Sequence, residues 1–287
     1  MPQMTLKTVL QNYKSWLVHR DYSCATIEKY THTLARFFTE NPLVANPLKD
    51  FVPTREAVMA WRDHLSAGGY AAATVNAMLA GINEYQESIG NPAGKAKPLK
   101  RQRRVFCDSA RELTKPEYFR LLNAARETNN KRTQLLLETI CSTGIRVSEL
   151  QYITVDAIRN HRASIRCKGK CREILLPAAL CHRLQKWCRR RHIHTGPAFI
   201  NRSGRPLSRV TVWKLLKALC SRAQVAWKKV FPHNLRHLFA KTFYELDKNL
   251  SKLADVLGHS SIETTRIYIM ESGVEHERLL NRMHLLL

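Results

Sequence analysis

The chain has 287 residues, about twice an ordinary domain, so two domains are expected. Hydrophobic residues make up 44% and charged residues 24%, a globular balance that excludes disordered, collagen-like and low-complexity classes. The 47 Lys+Arg against 23 Asp+Glu leave a formal charge of +24, which points to a polyanionic partner without naming an activity. No run of 18 apolar residues occurs, and the N-terminus lacks the basic-then-apolar order of a signal peptide, so no membrane span and an intracellular location are expected. The eight cysteines form no CxxC pair and read as reduced thiols, with no metal site and no cofactor implied.

In chain order, residues 1–90 read as a helical bundle. Leu10, Tyr13, Trp16 and Leu17 share one helical face, as do Ile27, Tyr30, Leu34 and Phe37 in the next segment. Further helices are expected over 55–65 and 72–89, separated by Gly68–Gly69. Residues 91–111 carry two prolines, seven basic side chains and one acidic one, the composition of a basic linker. From residue 112 the pattern restarts. Thr114, Pro116 and Glu117 form an N-cap with a capping-box partner, and a helix is expected to follow to about Cys141. Residues 163–177 switch to two short strands around Lys168-Gly169-Lys170, a β-hairpin. Helical spacing returns over 180–190, 210–223, 233–246, 251–257 and from about Val274. The fold class is therefore mainly α with a small β component.

Four words in the second half carry chemistry. In Thr143-Gly144-Ile145-Arg146-Val147-Ser148-Glu149-Leu150, a Thr-Gly turn opens a helix with Arg146 and Glu149 three apart. The hairpin turn holds a lysine at the tip of a rigid element. In Pro232-His233-Asn234-Leu235-Arg236-His237, His233 and Arg236 share a helix face and can address one anion. In Leu257-Gly258-His259 through Arg266-Ile267-Tyr268, a histidine follows a helix-ending glycine and a tyrosine lies nine residues on. Each word alone is weak, because Arg–Glu pairs and basic turns are ordinary surface features.

Together, in the order Arg, Lys, His-x-x-Arg, Gly-His, Tyr, they resemble the tyrosine recombinase (phage integrase) family, in its simple Xer-type, two-domain form. The resemblance spans the whole second half, and residues 1–90 are similar to the family's SAM-like core-binding bundle. It implies an α+β catalytic domain over 112–287, with Arg146, Lys168, His233, Arg236, His259 and Tyr268 as catalytic residues. Tyr268 would attack a DNA phosphodiester, leaving a 3′-phosphotyrosyl link and a free 5′-hydroxyl, with no metal and no ATP. Two guanidiniums, permanently charged and planar, suit the charge that gathers on the non-bridging oxygens. A lysine can protonate the leaving oxygen if neighbouring cations lower its pKa. Matching the Lys-Gly step favours Lys168, whereas counting back from Pro177 leaves Lys170 as the alternative. His233 would take the tyrosine proton or assist the phosphate, His259 would bond the phosphate or orient Tyr268, and Glu149 would buttress Arg146.

The implied partner is double-stranded DNA at a specific recombination site, gripped also by Lys100, Arg101, Arg103 and Arg104 of the linker. The implied assembly is a homo-tetramer, alone or with a second recombinase or accessory protein, in which the apolar C-terminal segment (Leu279 to Leu287) docks on a neighbouring protomer. The expected location is cytoplasmic, at the nucleoid. Two rival readings are a type IB topoisomerase-like enzyme and a DNA-binding accessory protein without chemistry. Residues 1–90 hold eight basic and eight acidic side chains, so the whole +24 falls in residues 91–287, and that half is expected to supply the salt-dependent phosphate binding.

Overall fold

The computed structural model describes residues 5–41, 51–100, 109–167, 170–259, 261–268 and 281–283. They fall into two compact units, residues 1–103 and 104–287. In the first, helices α1 (Leu6–His19), α2 (Cys24–Glu40), α3 (Arg55–Ala67) and α4 (Ala72–Ser88) form the bundle. Thr5, Ser23 and Thr54 cap the first three, each side chain accepting from a backbone N–H three residues on. Heptad-like spacing then buries one side of each helix: Tyr13 and Leu17, Leu34 and Phe37, Val58, Trp61 and Leu65, Val75, Leu79 and Ile82. Phe37 meets Trp61 edge-on at 5.3 Å, and Phe38 meets Phe51 and Tyr85 the same way. At Gly81 the Tyr30 ring lies 3.0 Å from where a Cβ would stand, and the Gly81 carbonyl accepts from the Tyr13 hydroxyl at 2.7 Å.

The expected linker begins later than its composition suggests. Asn83 pairs with both the N–H and the C=O of Ala96, and Asn76, seven residues earlier on α4, does the same for Leu99. These two amides act as a neighbouring strand would, so residues 92–99 lie along the bundle, with Gly94 and Ala96 buried. Of the basic residues expected to contact DNA, Lys100 is exposed. Arg101, Arg103 and Arg104 lie outside the described residues.

The second unit is built around α6 (Lys131–Thr143), on which Leu135, Leu136, Leu137 and Ile140 are all buried. The single helix expected from Thr114 to Cys141 is two: α5 (Lys115–Glu127), with the predicted capping box at Thr114 and Glu117, and α6. Thr128, Asn129 and Asn130 break them apart, because Asn129 takes a left-handed φ of 50° and Asn130 caps α6. After α7 (Val155–Arg159), strands β1 (Arg162–Cys167) and β2 (Lys170–Leu175) pair antiparallel, with Ala163 opposite Ile174, Ile165 opposite Arg172 and Cys167 opposite Lys170. Next come α8 (Ala178–Arg190), which buries Cys181 and Cys188 on one face as their spacing predicts, α9 (Arg209–Lys217) and α10 (Cys220–Ala223). The expected run over 210–223 is therefore interrupted at Ala218–Leu219. Helices α11 (Pro232–Asp247), α12 (Leu250–Leu257) and α13 (Ile262–Arg266) complete the described unit. The C-terminal segment from Val274 lies outside the described residues except Asn281–Met283, which are exposed.

Candidate active site

The ends of α6 and α12 come together beside α11. Helix α6 stops at Gly144, whose φ of +62° and close packing against Phe239 and Leu257 leave no room for a side chain. The chain then runs extended through Arg146 and enters the 3-10 turn Val147–Tyr152, not the α-helix expected there. The Arg146–Glu149 pair survives in a tighter form. Glu149 accepts the Arg146 backbone N–H at 2.9 Å and its Nη1 at 3.0 Å. Burial pushes the Glu149 carboxyl up, but the Arg146 N–H and the Arg172 and Arg146 guanidiniums outweigh it and hold its pKa below the ordinary value. Glu149 is nearly buried, whereas the Arg146 side chain remains 40% exposed.

Arg236 is the opposite case, only 2% exposed. Its Nη1 donates to the Gly144 carbonyl, and its Nη2 donates to the Leu257 carbonyl at 2.8 Å and lies 3.0 Å from His259 Nε2. Both carbonyls belong to helix C-termini, whose last C=O groups have no partner within the helix. Burial and then the charge of Arg146 push the Arg236 pKa down to about 10, so it stays charged at neutral pH. Because Arg236 donates to Nε2, the His259 proton belongs on Nδ1, which lies 2.8 Å from Thr265 Oγ1. Burial, then the charges of Arg236, Arg146 and Arg172, pull His259 down to about 4, leaving it neutral. His233 is lowered too, by burial and then by His237, Arg236 and Arg146.

Tyr268 is 6% exposed and sits among three imidazoles. Its ring centroid lies 5.4 Å from His233, 5.3 Å from His237 and 5.5 Å from His259, the last nearly parallel at 25°. It is also near enough to Arg236 to favour that side chain's charged form. Five of the six expected residues, drawn from three of the four sequence words, are thus gathered in one place. The sixth, Lys168, lies outside the described residues. Lys170 begins β2, with its backbone paired to Cys167.

Two residues without an assigned role in the sequence join the cluster. His237 packs on Tyr268. Arg172 donates Nη2 to Glu149 at 2.5 Å and Nη1 to the carbonyls of Val256, at 3.3 Å, and Leu257. A signal for Arg172 was present: alternation along Arg172-Glu173-Ile174 puts the arginine on the same face as buried Ile174.

Comparison with known proteins settles the family. The phage integrase family model matches residues 111–273. This chain belongs to that family. Tyrosine recombinase XerD of Halalkalibacterium halodurans is 30% identical over 92% of this chain and 94% of its own length. Tyrosine recombinase XerA of Pyrococcus furiosus is 27% identical over 100% and 98%. Among solved structures, a lambda integrase fragment (residues 75–356), a dimer bound to a COC′ core site, matches with a TM-score of 0.70 at 21% identity, over 94% of this chain and 97% of that one. The chain is accordingly a site-specific tyrosine recombinase, of an enzyme class that cuts and rejoins DNA strands. The topoisomerase and accessory readings are not favoured by these relatives.

Proposed function

We propose that Tyr268 is the nucleophile of this phage integrase family member and that Arg146 and Arg236 clamp the scissile phosphate of duplex DNA. The observation that carries this reading is the convergence on Tyr268 of His233, Arg236 and His259 from α11 and the turn after α12. A tyrosine hydroxyl, with an ordinary pKa of ~10, is a poor nucleophile until a base takes its proton or cations stabilise the charge formed. His233, held neutral by burial, is the acceptor for that proton. The Tyr268 oxygen attacks phosphorus, the bond to the 5′-oxygen breaks, and the hairpin lysine, Lys168 or Lys170, returns a proton to that oxygen. One phosphoester replaces another, so rejoining by a second strand's 5′-hydroxyl needs no ATP.

His259 takes the orienting role of its two options. Its Nε2 accepts from Arg236 and its ring lies along Tyr268, so it holds the arginine and the tyrosine in register. Glu149 buttresses Arg146. By analogy with lambda integrase, whose structure is of a dimer on a core site, assembly on DNA is expected, and a homo-tetramer joining two sites is the form recombination requires. Among the described residues no helix is long and apolar enough to cross a membrane, and the reading places the enzyme in the cytoplasm with the nucleoid. The test is covalent trapping on nicked duplex DNA. Wild type is expected to yield a protein–DNA adduct stable to denaturation, and Tyr268→Phe none. A wild type without any adduct, or a Tyr268→Phe variant that keeps one, would overturn the proposal.

A further inference from the structure

Three guanidiniums and two acceptors form a continuous line through the site. Arg146 and Arg172 take separate oxygens of the Glu149 carboxylate. Arg172 and Arg236 share the Leu257 carbonyl. Arg172 therefore touches the acceptor used by each of the other two arginines. Both of its terminal nitrogens donate to protein acceptors and its Nε is buried, so the guanidinium is turned into the protein, with its side chain 16% exposed. We propose that Arg172 is a positioning residue that sets the separation and orientation of Arg146 and Arg236, so that the pair meets both non-bridging oxygens of one phosphate. The proposal rests on the recombinase reading above and adds a seventh residue to it.

The local structure is shaped around this side chain. Gly258, at φ +63°, lies under the Arg172 stem, and any Cβ there would collide with it. That glycine immediately precedes His259, so the arginine also fixes where the His259 turn begins. A fork is required. The carboxylate of Glu149 and the carbonyl of Leu257 lie in different directions, and a planar guanidinium presents separate donors to each, while a lysine ammonium is a single point. The three cations repel one another, and Glu149 offsets only one charge. Without a tie between Arg146 and Arg236, that repulsion would push them apart exactly where a phosphate has to fit, and the bridge through Glu149, Arg172 and Leu257 supplies the tie.

The test uses wild type, Arg172→Lys and Arg172→Gln in single-turnover cleavage of a nicked duplex whose sequence is recovered from wild-type covalent complexes. Three scissile groups are compared: the ordinary phosphodiester, a methylphosphonate that lacks one charged non-bridging oxygen, and a 5′-bridging sulfur whose leaving thiolate needs no proton. Both variants are expected to bind the duplex as wild type does and to cleave the ordinary ester ~10²-fold more slowly, the scale of a misplaced catalytic group. The deficit should shrink on the methylphosphonate, where one oxygen no longer needs a clamp, and persist on the thio substrate. Restoration by the thio substrate would overturn the proposal by assigning Arg172 to the proton donor of its own hairpin. Equal loss on all three substrates would overturn it in favour of a purely structural role, and wild-type rates in both variants would remove any role. Because a smaller folded fraction lowers all three rates alike, the ratios decide even for a variant that melts early. A wild type that forms no adduct on any duplex would instead sink the recombinase reading, and this proposal with it.

Discussion

The core of the bundle and the arginine cluster of the candidate site satisfy distant backbone carbonyls with different chemistry. In the bundle the buried donors are neutral: Tyr13 to Gly81, Tyr85 to Phe51, Gln86 to Pro53 and Asn41 to Ala57. Around the candidate site the donors are arginines, Arg236 to Gly144 and Leu257 and Arg172 to Leu257. Both units begin their helices alike, with Ser, Thr or Asn caps. They part at the C-terminal ends, where partial negative charge collects and a cation is the favourable partner. The bundle, with zero net charge over residues 1–90, holds these carbonyls with neutral donors. On the proposed reading the catalytic unit uses some of the same positive groups for the fold and for the chemistry, so there the two functions would fail together.

The sharpest way to break this comparison is to separate Arg236 from Arg146. Arg236→Gln is expected to slow cleavage by ~10²–10³-fold, the scale of removing one preorganised donor from developing charge. It should also lower folding stability by about 1–3 kcal/mol, since the Gly144 and Leu257 carbonyls lose a buried donor. Arg146→Gln should cost a similar factor in rate with much less stability, because its side chain is 40% exposed and donates to Glu149 rather than to a helix-terminal carbonyl. Single-turnover cleavage and denaturant melts on the two variants give the answer. Equal destabilisation by both would mean that the arginine bonds at the helix ends contribute nothing special.

The pH response follows from the same cations. His259 has a folded pKa of about 4 against 6.5 when unfolded. As pH falls below 6.5 the unfolded chain takes up a proton that the folded site refuses, so this group's contribution to stability is complete above 6.5 and lost on the way down to about 4. His233 moves in the same direction. The acid limb of the cleavage rate is therefore expected below 6.5, with His259 still neutral at pH 6 and His233 shifted in the same direction. An acid limb at or above 6.5 would contradict the cationic crowding around these rings. In the Arg236→Gln variant, removal of one cation should move the limb upward.

How much of this was legible beforehand depends on the kind of signal. Arg146, His233, Arg236, His259 and Tyr268 were readable because each sits in a short word whose spacing survives folding. The bundle helices were readable from the period of Tyr13, Leu17, Leu34 and Phe37. Alternation marked Arg172 as facing inward, but its role was not readable, since that comes from the end of α12, more than 80 residues away in sequence. His237 stood in the same word as Arg236, yet its packing on Tyr268 depends on where the chain returns after α13. The α5–α6 break was written as Thr128-Asn129-Asn130, a cluster of turn formers that apolar periodicity on both sides concealed.

Charge offers a smaller effect with a clean sign. Lys100 is exposed at the end of the strapped segment, and the basic residues that follow it were expected to grip DNA. If Lys100 meets a phosphate, Lys100→Gln should reduce the slope of log K against log salt by about 0.9 while cleavage of bound DNA is unchanged. Neutralising Lys14 on the bundle, where residues 1–90 are charge-balanced, serves as the comparison. An equal change in slope for both would mean that phosphate binding is not concentrated in the basic half.

The weakest perturbation expected for the chemistry is on the strap. Composition made residues 91–99 look like free linker, with prolines, lysines and no period, but composition cannot register a side chain that pairs with backbone. Asn83→Ala would leave the Ala96 N–H and C=O without their partner, and Ala96 is buried, so the bundle should lose about 1–3 kcal/mol. No donor near Tyr268 changes, and cleavage of DNA already bound should proceed at the wild-type rate. Hydrogen exchange at Ala96 and Leu99 gives a direct reading, because loss of the Asn83 amide should release the first N–H while Asn76 continues to hold the second. Should both amides exchange together, the strap is held as a unit by apolar packing of Ala96 and Leu99, and the two asparagines merely follow it.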